Sequence, residues 1–213
     1  TACSGRWRSG ARGSALADGL PGTGGTLVLV AGPSGAGKDS LIEAARRQLP
    51  ADRFVFPQRV ITRQDASGAE VSDYVTPEVF ARLQDSDAFA LHWQAHGNHY
   101  GILRSIEPEL AQGRHVVVNV SRSVIDQARH QYSRLRVMLV TASRAVLRQR
   151  LAARGRELDA DIDRRLERSL LEMPDAPDVV EIVNDGALQD AIDRFITELA
   201  TLDALEDRHL AGS

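Results

Sequence analysis

The sequence contains a single cysteine, Cys3, and few aromatic residues, which make up 5% of its 213 positions. One cysteine excludes an internal disulfide and a zinc site built from several cysteines. No apolar run approaches the roughly 20 residues that cross a bilayer, and no continuous apolar segment near the start is typical of a secretory signal. These absences predict a cytoplasmic protein without a membrane partner.

An excess of positive charge is also lacking. The 26 Lys and Arg residues are outnumbered by 29 Asp and Glu residues, and the formal net charge is -3. A protein that binds nucleic acid in general carries a basic footprint, so we expect no nucleic-acid partner. This charge remains compatible with a local basic cleft for a small anion.

The first 25 residues differ in composition from the remainder of the chain. They are rich in Gly, Ser and Arg and have no apolar periodicity, which predicts a disordered leader. Because this stretch is also poor in acidic residues, a presequence of mitochondrial type is an open alternative. At the usual domain size, residues 26–213 are expected to form one domain.

Short apolar runs alternate with helical spacings after residue 26. The runs at 26–31, 115–120, 135–141 and 179–183 are typical of strands buried on both faces, and 59–62 is a shorter candidate strand. Helices are predicted between them, at 38–49, from Thr76 to about Gln84, from Ser105 to Gly113, from Ser143 to about Ala153, at 160–172 and at 186–200. The alternation predicts an α/β fold with a five-stranded parallel sheet, and the runs around Gly97-Asn98 predict a small hairpin.

The most specific motif is the phosphate loop, Gly32-Pro33-Ser34-Gly35-Ala36-Gly37-Lys38-Asp39-Ser40. It follows a predicted strand and begins a predicted helix, the context that the G-x-x-x-x-G-K signature requires. In such loops the backbone N–H groups surround phosphate oxygens and the helix N-terminus adds partial positive charge. All nine residues are therefore candidates for ATP binding, with Lys38 beside the β- and γ-phosphates. The alternative is a chance glycine-rich turn.

The phosphate loop departs from the signature directly after Lys38. Ser or Thr, a ligand of Mg²⁺, is expected there, and Asp39 takes its place. A carboxylate is also a suitable ligand for Mg²⁺, and the run 115–120 presents Asn119 where an acidic partner is usual. We therefore predict that Asp39 ligates Mg²⁺ and supplies the negative charge that Asn119 lacks.

From about residue 26 to 200 the chain resembles the guanylate kinase family of P-loop kinases. The matching segments are GPSGAGKDS (32–40), RVITR (59–63), SDY (72–74), FALHWQAHGNHYG (89–101), VVVNVSR (116–122), RLAARGRE (150–157), RRLERS (164–169) and IVNDG (182–186). Within the family, GKDS, FALHW and VNVSR are similar to the ribose 1,5-bisphosphate phosphokinases of phosphonate breakdown. The resemblance implies an ATP-dependent kinase that uses Mg²⁺, with an acceptor-binding insertion at about 59–104 and a mobile lid at about 154–163.

The resemblance also implies how the acceptor is bound. Arg63, Tyr74 and Tyr100 stand where the family binds the acceptor phosphate, although Ala66 replaces a second phosphate arginine. The positions that read guanine hold other residues, namely Arg59, Leu91 (or His92, if the tryptophans are aligned), Ile102, Asn119 and Ser121. A site that has lost its hydrogen bonds to a base rejects that base strongly, so GMP is not the expected acceptor.

The replacing residues favour a sugar with two phosphates. Arg59 and Arg122 would bind a second anion, and Asn119 and Ser121 would bond to sugar hydroxyls, with His92 and His96 as further candidates. The alternative for the two arginines is an exposed surface position. For the histidines, including His99, it is local hydrogen bonding.

Seven arginines fall within residues 148–169, namely Arg148, Arg150, Arg154, Arg156, Arg164, Arg165 and Arg168. In kinase lids, arginines stabilise the charge on the transferring phosphoryl group. The family positions imply catalytic roles for Arg150, Arg154 and Arg165, beside Lys38. The alternative is a salt-bridged surface helix, because acidic residues are interleaved. Asn184 stands where the family contacts adenine, unless Asn-Asp-Gly is a simple turn.

The resemblance implies transfer of a phosphoryl group from ATP to ribose 1,5-bisphosphate, which gives 5-phosphoribosyl 1-diphosphate. Two alternatives stay open. One is a guanylate kinase or another nucleoside monophosphate kinase. The other is a non-catalytic guanylate-kinase-like module that binds proteins, although such modules have typically lost the lysine and the lid arginines that persist here. The oligomeric state is left open.

Overall fold

The computed structural model describes residues 24–62, 72–95, 97–153 and 176–211, with the backbone alone from residue 203 on. In chain order the elements are β1 (Leu27–Ala31), α1 (Lys38–Gln48), β2 (Phe54–Val55), β3 (Arg59–Ile61), β4 (Ser72–Tyr74), α2 (Pro77–Asp85), β5 (Phe89–Ala95), β6 (Asn98–Leu103), α3 (Ile106–Ala111), β7 (His115–Asn119), a 3₁₀ turn (Arg122–Val124), α4 (Ile125–Gln131), β8 (Leu135–Thr141), α5 (Arg144–Ala153), β9 (Val179–Val183) and α6 (Leu188–Ala211). None of the helices in these ranges has the length and apolar character that a bilayer crossing needs.

The core is a five-stranded sheet in the order β2-β7-β1-β8-β9, and every pairing in it is parallel. β1 is central and all its residues are buried, as expected of an apolar run covered on both faces. Val28 and Val30 pack in the cluster beneath α1, α5 and α6, while Leu27 and Leu29 pack in the cluster on the other face. The predicted five-stranded parallel sheet is confirmed.

One core strand was not predicted from the sequence. The fifth strand is β2, which has only two residues, too few for an apolar periodicity to be recognised. The candidate at 59–62 forms β3 instead, and β3 belongs to a second sheet in the order β4-β3-β6-β5. This second sheet lies in the insertion predicted at about 59–104.

The second sheet is built on the predicted hairpin. β5 and β6 pair antiparallel on either side of Gly97, with Trp93 opposite Tyr100 and His92 opposite Gly101. The register shifts between Phe89 and Leu91, and Phe89 consequently lies on the opposite face from Leu91. There it packs with Val60 of β3 and with Phe80 of α2. The hairpin therefore has one face toward the core sheet and one face toward α2.

Most helix boundaries agree with the sequence signals. Thr76 caps α2 by accepting a hydrogen bond from the Val79 N–H at 3.3 Å, and Pro77 is the first helical residue. Ser143 similarly accepts from the Val146 N–H at the start of α5, at 3.4 Å. Ser105 precedes α3 but forms no capping hydrogen bond through its side chain. The last helix, α6, continues to Ala211, beyond the predicted end.

Several predicted features lie outside the described residues. These are nearly all of the leader at 1–25, the lid at about 154–163 and the helix at 160–172.

Candidate active site

The phosphate loop connects the end of β1 to the start of α1, at the carboxyl edge of the core sheet. Gly35 and Gly37 have φ angles of 85° and 98°, a left-handed conformation that glycine adopts without a Cβ clash. The Nζ of Lys38 donates to the carbonyl oxygens of Gly32 at 2.8 Å and Pro33 at 2.9 Å. The ammonium group thus lies against the start of the loop, in the setting that binds phosphates in loops of this type.

Two predicted residues meet beside this loop. The side-chain amide of Asn119, the last residue of β7, donates to the carboxylate of Asp39 at 2.6 Å. β7 is paired with β1, and Val30 of β1 lies opposite Asn119. Asp39 lies in the first turn of α1, where a negative charge interacts favourably with the helix dipole. The structure therefore brings Asp39 next to the residue whose missing charge it was predicted to supply.

Arg150 and Asn184 reach the phosphate loop from the other side. Arg150, near the end of α5, donates from one guanidinium nitrogen to the carbonyl oxygen of Gly35 and from another to the side-chain oxygen of Asn184, both at 3.5 Å. Asn184 follows β9 and donates to the carbonyl oxygen of Ala36 at 2.8 Å. Two residues predicted for different roles are thus parts of one network around the loop.

Three of the predicted acceptor residues share one face of the second sheet. Ile61 pairs with Tyr74 on one side and with Tyr100 on the other, and directly paired residues point to the same face of a sheet. Arg59 lies two positions before Ile61 and so falls on that face as well. Its guanidinium carbon lies 5.8 Å from the centroid of the Tyr100 ring. We call Arg59, Tyr74 and Tyr100 the acceptor face.

Trp93 supports the acceptor face and was missed in the sequence analysis as a functional residue. Its ring is stacked on Tyr100, with centroids 5.4 Å apart and planes 7° from parallel. The side chain is 8% exposed and belongs to the apolar cluster on the core sheet. The predicted turn could not have found it, because equal distances from Gly97-Asn98 place Trp93 opposite Ile102. In the structure Ala95 pairs with Asn98, and Trp93 consequently lies opposite Tyr100.

Two of the positions that read guanine in guanylate kinases are closed here. Leu91 and Ile102 are opposite each other across the hairpin, and each is 0% exposed. Both pack in the cluster against the core strands, and neither side chain carries a polar group. A purine would find no hydrogen-bonding partner at these two positions.

His92 and His99 of the hairpin lie away from the acceptor face. His92 is paired with Gly101, on the face toward α2, and its ring lies 6.3 Å from that of Phe89. The ring of His99 lies 5.4 Å from Phe80 of α2. The structure therefore does not bring His92 to the acceptor face, because strand alternation turns it away from Trp93 and Tyr100. His96 lies outside the described residues.

Ser121 and Arg122 follow β7 at the same edge as Asn119. The Ser121 side chain accepts from the N–H of Ser123 at 3.3 Å and from its hydroxyl at 3.0 Å, and so begins the 3₁₀ turn. Burial lowers the pKa of the Arg122 guanidinium from its usual value, because a partly desolvated cation is less stable than one in water. An anionic ligand beside Arg122 would compensate for that lost hydration.

The remaining predicted site residues, Arg63, Arg154 and Arg165, lie outside the described residues.

The oxygen atoms at the start of α1 are suitable ligands for a magnesium ion that also binds phosphates. The parts of the chain described by the structure contain no group of three or more His, Cys, Asp and Glu side chains that could hold a metal ion. Mg²⁺ in phosphate-transferring sites commonly uses one or two protein oxygens, with phosphates and water as the other ligands. The carboxylate of Asp39 and the hydroxyl of Ser40, both at the start of α1, match that requirement in chemistry.

The site combines a parallel sheet, a glycine-rich loop with a lysine at the start of a helix, and an arginine, Arg150, that donates to that loop. These features define the P-loop kinase class. Comparison with known proteins specifies the family. The sequence profile for guanylate kinase matches residues 24–201. The chain belongs to the guanylate kinase family.

Two relatives and one solved structure illustrate the similarity. The chain is 47% identical over 178 residues to ribose 1,5-bisphosphate phosphokinase of Rhodopseudomonas palustris, which covers 78% of this chain and 91% of that protein. It is 50% identical over 145 residues to ribose 1,5-bisphosphate phosphokinase of Pseudomonas fluorescens, covering 68% and 76%. Guanylate kinase of Anaplasma phagocytophilum superposes with a TM-score of 0.60 at 20% identity, covering 84% of this chain and 86% of that one. The last comparison concerns the fold alone.

Proposed function

We propose that this protein transfers the γ-phosphoryl group of ATP to the 1-phosphate of ribose 1,5-bisphosphate. The products are 5-phosphoribosyl 1-diphosphate and ADP, and the reaction is assigned to phosphonate degradation. The two relatives described above, which are 47% and 50% identical to this chain over the aligned residues, are named for this activity. The observation in the structure that supports it most directly is the pairing of a cationic acceptor face with closed, apolar positions at Leu91 and Ile102.

The acceptor face supplies groups that suit phosphates and sugar hydroxyls. Arg59 presents a guanidinium, and Tyr74 and Tyr100 present phenol groups on the same face. Arg–phosphate pairs are strong because the planar guanidinium can form two parallel hydrogen bonds to one phosphate. We propose that this face binds one phosphate together with Arg63, and that Arg122, Asn119 and Ser121 bind the remainder of the acceptor.

The phosphate that is attacked does not need activation. The nucleophile is an oxygen of the 1-phosphate, which is already ionised at neutral pH, so a general base is unnecessary. That oxygen forms a bond to the γ-phosphorus, while the bond from the γ-phosphorus to the bridging oxygen breaks and ADP leaves with the electron pair. Catalysis is therefore positioning and neutralisation of charge.

Neutralisation is assigned to cations at the phosphate loop. We propose that Lys38 binds the β- and γ-phosphates and that Arg150 stabilises charge on the transferring group, with Arg154 and Arg165 as further donors. Asp39, with Ser40 beside it, would hold Mg²⁺. When bound, Mg²⁺ would supply positive charge that neutralises part of the charge on the phosphates.

An acceptor panel tests the proposal. ADP release would be measured with ribose 1,5-bisphosphate, ribose 5-phosphate, GMP and AMP as acceptors, with Lys38→Ala as the blank, and the product would be identified by phosphorus NMR. We expect kcat/KM for ribose 1,5-bisphosphate to exceed that for GMP by at least about 10⁴-fold, because a site without hydrogen bonds to a base has little means to select it.

The panel also distinguishes the alternatives. Turnover of GMP at a rate comparable to that of the bisphosphate would identify a nucleoside monophosphate kinase and overturn the proposal. If calorimetry detects no binding of ATP to the wild-type protein, the kinase assignment itself fails and a non-catalytic module is favoured.

A further inference from the structure

Asn184 is buried beneath the phosphate loop. It follows β9 at the carboxyl edge of the core sheet and is 1% exposed. Its backbone N–H donates to the carbonyl oxygen of Thr141 at 2.8 Å, which continues the pairing of β9 with β8. Its side-chain amide nitrogen donates to the carbonyl oxygen of Ala36 at 2.8 Å. The backbone therefore fixes Asn184 to the sheet, and the side chain connects the sheet to the loop.

The contact between Asn184 and the loop leaves no space for another side chain. A Cβ added to Gly37 would lie 2.4 Å from the amide nitrogen of Asn184, well inside van der Waals contact. Gly37 is required by this close approach as well as by its φ of 98°. The loop and the amide are thus packed directly against each other, at the residue before Lys38.

The oxygen of the same amide faces Arg150. One guanidinium nitrogen of Arg150 donates to it at 3.5 Å, and a second donates to the carbonyl oxygen of Gly35, also at 3.5 Å. Both ends of the Asn184 amide are therefore used inside the protein. If this amide turned outward to a nucleobase, the hydrogen bond to the carbonyl oxygen of Ala36 would be lost. That loss would be unfavourable, because a buried polar group without a partner costs free energy.

We propose that Asn184 is a positioning residue that fixes the phosphate loop at Ala36-Gly37 and holds Arg150 against the loop, and that it does not read the adenine base. The inference rests on the proposed function only in that the loop binds a triphosphate. It replaces the adenine contact implied by the family position of Asn184 with a role in shaping the site for phosphates.

Binding of three ligands that share a triphosphate tests the role. Dissociation constants of ATP, GTP and inorganic tripolyphosphate would be measured by calorimetry for wild type, Asn184→Ala and Asn184→Asp. The aspartate has the same shape but cannot donate to Ala36, and its charge faces a carbonyl oxygen. We expect both variants to weaken all three ligands by a similar factor, about 10-fold or more, with the ATP-to-GTP ratio unchanged.

Kinetics would separate positioning from a general loss of structure. Asn184→Ala is expected to lower kcat and to raise the KM for ATP, with the KM for the acceptor unchanged. The effects of Asn184→Ala and Arg150→Ala should be less than additive in the double variant, because both act through one contact. Gln189→Ala is the matched control, since it removes an exposed amide that bonds to Asp193 on α6.

Each outcome bears on a different claim. Asn184 would be assigned to base recognition, and the inference overturned, if ATP affinity fell while tripolyphosphate affinity did not, or if the ratio of ATP to GTP affinity shifted. Unchanged binding of all three ligands would also overturn the inference. Circular dichroism identifies a variant that fails to fold, and the other substitution then decides. Absence of ATP binding in the wild type would instead remove the proposed function.

Discussion

The side-chain amide of Asn119 donates to the carboxylate of Asp39 across 2.6 Å, although 80 residues separate them in the chain. The negative charge that P-loop kinases usually carry at the end of this strand is found here on the first turn of α1. Compared with the usual pattern, the acidic side chain is on the helix, at Asp39, and the neutral one is on the strand, at Asn119. This exchange keeps one carboxylate beside the phosphate loop, where it can ligate Mg²⁺.

Reversing this exchange is the first prediction. Asp39→Thr alone should raise the Mg²⁺ concentration for half-maximal activity by about 10- to 100-fold, the usual cost of a lost metal-site partner. The double variant Asp39→Thr, Asn119→Asp should recover most of this loss, because it restores a hydroxyl on the helix and a carboxylate on the strand. Mn²⁺ binding in the presence of ATP, followed by electron paramagnetic resonance, provides a readout independent of turnover.

The single variant Asn119→Asp is the control for this experiment. It places two carboxylates in contact, and like charges at that distance repel. It should therefore need a higher Mg²⁺ concentration for half-maximal activity than the double variant. Equal metal dependence in wild type and Asp39→Thr would contradict the assignment of Asp39 as a ligand.

The second prediction concerns the stack of Arg59, Tyr100 and Trp93. Arg59→Ala should raise the KM for the acceptor by about 10- to 100-fold, the expected effect of losing a hydrogen bond to a charged group. Arg59→Lys keeps the charge but loses the planar stacking on Tyr100, so it should recover only part of the affinity. The KM for ATP should stay unchanged in both variants, as measured by ADP release.

Trp93→Leu extends the test of this stack. This substitution removes the ring that stacks on Tyr100. We expect a several-fold increase in acceptor KM from the lost aromatic contact. Arg82→Ala is the control, because Arg82 is an exposed arginine on α2, away from the acceptor face. An equal effect of Arg82→Ala and Arg59→Ala would refute the assignment of the acceptor face.

The third prediction concerns the closed guanine position. Leu91→Glu reintroduces the acidic residue at a side chain that is 0% exposed, and burial of an unpaired carboxylate costs several kcal/mol. We therefore expect a clear fall in the midpoint of thermal unfolding and no gain of GMP kinase activity. The conservative variant Leu91→Met should be destabilised by less than about 1.5 kcal/mol. A stable Leu91→Glu protein that phosphorylates GMP would show that the position opens to a purine.

The fourth prediction follows from the pKa of Tyr132. Burial, and then the negative charge of Glu107, raise the pKa of the Tyr132 phenol to about 12, against a usual value of 10. Since the unfolded chain releases this proton first, the stabilising contribution of Tyr132 is complete below pH 10 and is lost between pH 10 and pH 12. Urea unfolding at pH 8 and pH 11 should therefore show a smaller loss of stability in Tyr132→Phe than in wild type. Equal losses would contradict the raised pKa.

Much of the fold was predictable because its signals are local. The buried run of β1, the glycines of the phosphate loop and the Thr76-Pro77 start of α2 each depend on a few consecutive residues. The two-residue strand β2 could not be recognised, since its pairing with β7 is a property of the sheet. Likewise, simple alternation puts Phe89, Leu91 and Trp93 on one face, but the register shift after Phe89 turns its ring toward Gly101 and α2.

The sequence by itself determined that this chain forms a parallel α/β sheet with a phosphate-binding loop, because apolar periodicity and glycine conformations act over short distances. Its resemblance to the guanylate kinase family also implied which residues replace those that read guanine. The tertiary structure alone decided which side chains meet. It joined Asp39 to Asn119, enclosed Asn184 beneath the loop and turned His92 away from Tyr100, because strand order and register, rather than nearness in the chain, determine which side chains share a face or an edge of a sheet.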